Sequence, residues 1–155
     1  RELFQMTAPE GHTLNGWIMF PPGMDRSSRH PVFMVQYSGP NSNEVEDRFG
    51  GRNQLWHSLL AHKGYIVACV DGRGTGRRGR EFRHVTYGQL GKYETEDQIA
   101  ASRRLYNGNV QNLNARIVTF PGNIVASVHR FRQAKPFEMT PAERAVTYER
   151  PQIDL

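Results

Sequence analysis

The chain has 155 residues, one cysteine, and 20 basic against 15 acidic side chains, for a net charge of +5. That length carries one domain with a real core. A single thiol excludes an intrachain disulfide and a cysteine-based zinc site, and no apolar run approaches the roughly 18 residues of a membrane span. The basic excess is spread along the chain: 14 basic against 11 acidic side chains in residues 1–110, and 6 against 4 in residues 111–155. With no basic tail and no aromatic-interleaved RNA motif, nucleic acid is not an expected partner, despite the local cluster Arg73, Arg77, Arg78, Arg80 and Arg83. Arg1 opens the chain and no signal-peptide pattern follows. It reads as a piece of a longer polypeptide, and the compartment stays unassigned.

Residues 1–20 alternate loosely around Glu10-Gly11, which predicts a hairpin of strands at 3–8 and 13–20. Pro21-Pro22-Gly23 stops it. After a polar loop, Pro31 opens a second strand at 32–37, expected to be buried and closed by Ser38-Gly39-Pro40. Residues 41–53 read as loop. Leu55, Leu59 and Leu60 at helical spacing, with Gly64 as a C-terminal cap, predict a helix over 54–63. Residues 65–70 form a short apolar run with no polar alternation, so a strand buried on both faces is expected there. Strand, helix and strand make a βαβ crossover with a parallel pair.

After that strand come Asp71 and four glycines in eight residues, Gly72, Gly74, Gly76 and Gly79. A buried strand running into a glycine-rich loop marks an open α/β sheet, whose ligands gather at the carboxyl ends of its strands. Residues 80–92 read as irregular. Thr95-Glu96-Asp97-Gln98 has the form of a capping box and predicts a helix from 96 to about 105. A further strand is expected at 115–120, then a stretch at 123–131 that is strand-like or an awkward helix, its β-branched content favouring strand, with a hairpin through Pro121-Gly122 as one arrangement, and a short helix at 141–149 opened by Thr140-Pro141. The fold class is α/β. Cys69 reads as a buried structural thiol.

Several motifs follow one another in a recognisable order: Leu14-Asn15-Gly16-Trp17, Pro31-Val32-Phe33-Met34, Gln36-Tyr37-Ser38-Gly39-Pro40, Trp56-His57, Lys63-Gly64-Tyr65-Ile66-Val67, Asp71-Gly72-Arg73-Gly74-Thr75-Gly76, and the run from Leu90 through Gln98 to Ile99. Over residues 1 to about 105 the chain resembles the peptidase domain of the prolyl oligopeptidase family, most closely its dipeptidyl peptidase IV branch. The resemblance implies residues 1–110 as the N-terminal half of an α/β-hydrolase peptidase domain, with residues 111–155 an unmatched tail of strand and short helix. It implies a hairpin followed by a parallel βαβαβ sheet, and serine peptidase chemistry that releases N-terminal dipeptides with proline or alanine in second position. No cofactor and no metal are implied. A peptide substrate of the full-length enzyme is the partner it suggests, and a homo-oligomer is a further expectation from the edge and apolar faces that a truncated parallel sheet exposes.

Tyr37 matches the family tyrosine whose phenol helps form the oxyanion hole. Its hydroxyl is a neutral donor at a strand end, suited to the charge of a tetrahedral intermediate, and loss of one such donor typically lowers turnover by about 10² to 10³. The same match makes Asp71 a loop-shaping residue that accepts backbone N–H groups, and makes Arg73 a tie to neighbouring carboxylates or carbonyls. Gly72, Gly74 and Gly76 are not a dinucleotide fingerprint, because no helix opens directly on them.

The family pattern fades after Leu105. Where a G-x-S-x-G elbow belongs stands Pro121-Gly122-Asn123-Ile124-Val125-Ala126-Ser127, and no such elbow occurs elsewhere. The nucleophile is therefore expected to be absent, and the triad Asp and His would fall beyond residue 155 in a full-length relative. His129 has no matching context, and His57 and His62 are spaced wrongly for two metal ligands on one helix face. The first reading is a serine peptidase domain, inactive alone. The alternative is a non-catalytic interaction module or oligomerising fragment. Anion or nucleic-acid binding by Arg73 to Arg83 is a third, weaker reading.

Overall fold

The computed structural model describes residues 1–25 and 28–138. Four strands, β1 (Glu2–Thr7), β2 (Thr13–Met19), β3 (Val32–Val35) and β4 (Ile66–Asp71), form one mixed sheet in the order β1-β2-β4-β3. Around it lie helices α1 (Gly51–His62), α2 (Arg80–His84), α3 (Lys92–Val118) and α4 (Gly122–Val128). β1 and β2 are the expected antiparallel hairpin, joined around Gly11 at φ +89°. β2 also pairs antiparallel with β4, and β3 pairs parallel with β4, Val32 opposite Ile66 and Val35 opposite Cys69.

β4 is central, and all six of its residues are buried, as its uninterrupted apolar run requires. Its side chains alternate between two cores. On one face, Val70 packs with Met6 and Leu14 against Ala101 of α3. On the other, Val67 and Cys69 pack with Trp17 and Met19 against Ala61 of α1. The result is a sheet between helices, the layered arrangement that buries both faces of such a strand. β2 comes close to β1 because Gly16 has no side chain: the Phe4 ring lies where its Cβ would be.

α1 ends as its sequence predicts. Gly64 takes φ +94° and donates to Ala61 O at 3.0 Å, while Tyr65 N donates to Leu60 O at 3.1 Å. These two bonds satisfy carbonyls that the helix end leaves open. The helix begins at Gly51, earlier than the expected 54, and exposes Leu55, Trp56 and Leu59 on its outer side.

Several expectations are corrected. β3 is not buried: it is half-exposed, four residues long and lies at the sheet edge, with no strand beyond it among the described residues. Residues 80–92 include the short helix α2. The helix expected from 96 to 105 starts one turn earlier, where Glu94 Oε2 accepts from Gly91 N at 3.0 Å. Thr95 does not cap it, and its hydroxyl donates back to Gly91 O at 2.5 Å.

The larger correction lies further on. α3 runs unbroken for 27 residues, about 40 Å of helix, and contains most of the segment at 115–120 expected as a strand. The stretch at 123–131 is helical over Gly122–Val128, with Pro121-Gly122 forming the bend between α3 and α4 rather than a hairpin turn. The parallel βαβαβ arrangement therefore stops at βαβ among the described residues. The helix expected at 141–149 lies outside them.

The physical reason is burial rather than local propensity. Leu105, Val110 and Leu113 of α3 line a cleft of about 370 Å³ under Ile18, Val32 and Ile66 of the sheet. The chain then returns along α3 in extended form. Asn114 clasps the backbone of Ala134, donating to its O at 2.8 Å and accepting from its N at 2.9 Å. Asn107, two turns earlier, holds Phe137 the same way at 3.2 and 2.7 Å. No helix among the described residues is long and apolar enough to cross a membrane.

Candidate active-site region

Because β3 and β4 run parallel, their carboxyl ends open on the same side, and the loops that follow meet there. Tyr37 stands just past the end of β3 and is 66% exposed. Its loop is closed by Ser42, whose hydroxyl accepts from Gly39 N at 3.0 Å and donates to Gly39 O at 2.7 Å. Ser42 Oγ also reaches Tyr37 O at 3.3 Å.

Asp71 ends β4 and is buried. Its carboxylate accepts from the backbone N–H groups of Glu44 and Val45 at 3.1 and 3.0 Å, and from Asn43 Nδ2 at 3.4 Å. Asn43 Nδ2 donates in turn to Gly76 O at 3.2 Å, and Gly76 N donates to Ser42 O at 3.1 Å. The loop after β3 is thus stitched to the glycine loop after β4. Gly76 admits this approach, since a Cβ there would sit 2.9 Å from Asn43 Oδ1. The loop-shaping role read for Asp71 is the one this geometry gives it. Burial, followed by the charges of Asp71 and Glu46, raises the Glu44 carboxyl above its ordinary value.

Arg73 makes the second tie. Its backbone N donates to Asp97 Oδ2 at 2.6 Å, and its Nε and Nη2 donate to the same carboxylate at 3.1 and 2.9 Å. Nη2 also donates to Glu96 at 3.0 Å and lies 4.0 Å from Glu10. His12 Nε2 contacts Asp97 Oδ1 at 3.1 Å. Burial alone lowers the guanidinium pKa, but the hydrogen bonds and charges of Asp97, Glu10 and Glu96 outweigh it and hold it above its ordinary value. Glu10, His12 and Asp97 bring ligand-type atoms within 4.8 Å of one another. The charge among them is supplied by Arg73, so the cluster is an ion-pair network tying the glycine loop to α3. Asp97 and His12 were missed from sequence; Asp97 read only as a first-turn carboxylate.

Gln98, the neighbour of Asp97, completes the joint. Its Nε2 donates to Val70 O at 2.7 Å and to Ser38 Oγ at 3.3 Å, holding the start of α3 against the ends of both strands. Three further arginines of the 73–83 cluster also have partners. Arg77 bonds Glu46 at 2.6 Å, Arg78 donates to Thr13 O at 2.9 Å, and Arg83 donates to Asn41 Oδ1 at 3.0 Å.

The remaining candidates do not join this region into a triad. Ser127 lies on α4 and is exposed. The His129 ring is 5.9 Å from Phe131. His57 packs against Trp17 at 5.2 Å on the α1 side of the sheet, where burial and then the charge of Arg1 lower its pKa below 6.5. His62 Nδ1 lies 2.8 Å from Ser58 O within its own helix.

Comparison with solved structures finds a similar fold in a peptidase. The crystal structure of Porphyromonas gingivalis dipeptidyl peptidase 4 is 51% identical with TM-score 0.63, covering 67% of this chain and 14% of that one. A model of the prolyl oligopeptidase family matches residues 53–120. The chain carries a dipeptidyl peptidase IV-like segment of the prolyl oligopeptidase family.

Curated relatives agree. A probable dipeptidyl-aminopeptidase B of Pyrenophora teres is 45% identical over 100 residues, 64% of this chain and 11% of that protein. Mouse prolyl endopeptidase FAP is 42% identical over 88 residues, 56% of this chain and 11% of its own. The chain thus spans about a ninth of the length of these relatives. A second model, of the LemA family, matches residues 88–154 and overlaps the peptidase match over residues 88–120. That second match covers most of the tail that the peptidase resemblance leaves out, and α3 lies wholly in the overlap.

Proposed function

We propose that this chain is the first half of a dipeptidyl peptidase IV-like hydrolase scaffold that carries the oxyanion donor Tyr37 and no nucleophile elbow, so that it does not hydrolyse peptides by itself. The observation that carries this reading is the unbroken course of α3 from Lys92 to Val118, followed directly by α4. A serine elbow needs a strand that ends in a sharp turn at the carboxyl edge of the sheet. Beside β3, where such a strand would extend the sheet, no described residue pairs. The LemA-like segment takes the chain along a helical path instead, and its α4 exposes Ser127 on a helix.

In the complete enzyme the exposed phenol of Tyr37 would donate to the oxyanion formed when a peptide with proline or alanine in second position is attacked. A Gly-Pro chromogenic substrate tests the proposal. Turnover indistinguishable from buffer is expected, and steady hydrolysis that is lost with Ser127→Ala would overturn it.

A second reading, an interaction module, is favoured by one observation. β3 offers an open edge, and α1 exposes Leu55, Trp56 and Leu59 on its outer side. Sedimentation over a wide concentration range separates the two. Concentration-dependent association supports the second reading, and a monomer throughout removes it.

A further inference from the structure

Among the described residues, Arg103 is built like Arg73 yet lacks its partner. Arg103 lies on α3 and borders a cleft of about 480 Å³, also lined by Gln36, Gln98, Ile99, Tyr106 and Phe137. That volume is within the range of small-molecule sites. The Phe137 ring covers the face of the guanidinium, its centroid 5.4 Å from Arg103 Cζ, and Asn107 fixes Phe137 through its backbone. The in-plane edge is different. Nε and Nη2 are both hidden from water, and neither has a hydrogen-bond partner among the described residues.

Those two nitrogens form the edge that binds a carboxylate side-on through parallel N–H groups. The same molecule shows the arrangement filled: Arg73 presents Nε and Nη2 to Asp97 at 3.1 and 2.9 Å. Among the described residues, no acidic side chain lines the Arg103 cleft, and Arg103 is its only cation. A buried donor without an acceptor is costly, and more so when charged. One positive charge suits one negative charge, and the Ile99, Tyr106 and Phe137 walls suit an apolar tail.

We propose that the cleft between the carboxyl end of β3 and α3 binds a small monocarboxylate with an apolar tail, its carboxylate held by the Nε/Nη2 edge of Arg103. The ligand enters past Phe137, which is 50% exposed and forms the outer wall. The site does not depend on peptidase chemistry. Arg103 belongs to the overlap of the two family matches, and the cleft borders the strand ends through Gln36, the neighbour of Tyr37, and Gln98.

The test uses the full chain and phenylacetate, followed by ¹H–¹⁵N spectra of the arginine Nε–H groups. A saturable shift of the Arg103 Nε–H is expected, with phenylacetamide failing to saturate it at tenfold higher concentration. Arg103→Lys keeps the charge but loses the fork, and should weaken binding at least tenfold by a tail resonance of the ligand. Gln36→Glu keeps Arg103 and adds a competing carboxylate to the cleft, and should weaken binding comparably even if Arg103 variants fold poorly. Absence of saturation, equal binding of phenylacetamide, tighter binding of inorganic phosphate than of phenylacetate, or unchanged affinity in the Gln36→Glu and Arg103→Lys variants would each overturn the proposal.

Discussion

Replacing Asp97 by Asn should be among the most destabilising single-atom changes available in this chain. Asp97 is 1% exposed, and its carboxylate receives the backbone N, Nε and Nη2 of Arg73 as well as His12. The amide keeps the shape but turns an NH₂ toward donors and leaves the guanidinium without its principal counter-charge. Breaking a buried pair from one side costs about 3–5 kcal/mol. Glu96 at 3.0 Å and Glu10 at 4.0 Å remain near Arg73, which places the effect toward the lower end, about 3 kcal/mol. Urea unfolding followed by tryptophan fluorescence measures it. With a slope of about 1–3 kcal/mol per molar, the midpoint should fall by roughly 1–3 M. The paired replacement Arg73→Met with Asp97→Leu removes both charges and should return to within about 1 kcal/mol of the natural protein. A loss below about 1 kcal/mol for Asp97→Asn, or a double variant as unstable as the single, would refute the assignment of Asp97 and Arg73 as a mutually dependent buried pair.

Other consequences follow from the same structure. Burial, aided by the nearby Asp71 and Glu44 charges, pushes the Cys69 thiol up to about 12, so a thiol-specific disulfide reagent at pH 8 should label the native chain only as fast as it unfolds, and label it at once in urea. Because the folded state lowers the His57 pKa below 6.5, the unfolded chain binds more protons between the two values; stability is full above about pH 6.5 and is lost as pH falls through that window. His57→Gln should flatten that slope in urea midpoints measured from pH 5 to 7.5. Gly74→Ala forces a side chain onto φ +95° with its Cβ 2.8 Å from Thr86 Cγ2, and should cost more than about 1 kcal/mol by the same unfolding assay.

Much of the N-terminal architecture was legible because its signals are local. The hairpin shows in alternation around Glu10-Gly11, β4 in an apolar run without polar breaks, and the end of α1 in Gly64, which takes the left-handed conformation the cap requires. The role of Asp71 was readable as well, since a carboxylate closing a strand before a glycine loop has backbone N–H groups within reach. The partner of Arg73 was not. Asp97 lies 24 residues away, and nothing local separates a helix-start carboxylate that faces water from one that faces a buried guanidinium.

Residues beyond Leu105 misled for a different reason. Ile117-Val118 and Ile124-Val125 are β-branched, but the helix penalty of such residues is only tenths of a kcal/mol each. Burial of Val110 and contact of Leu113 with the cleft under the sheet decide the matter. Asn107 and Asn114 look like helix weakeners in isolation. Their side chains instead bond the returning backbone at Phe137 and Ala134, a use visible only once the chain has folded back.

The proposed absence of an attacking serine in this peptidase-like half-sheet is measured directly by covalent labelling. The full chain, incubated with excess fluorophosphonate and examined by intact mass, should show no adduct over hours at neutral pH. A stoichiometric adduct that maps to Ser127, or to any other single serine, and that disappears on heating the chain beforehand would contradict it.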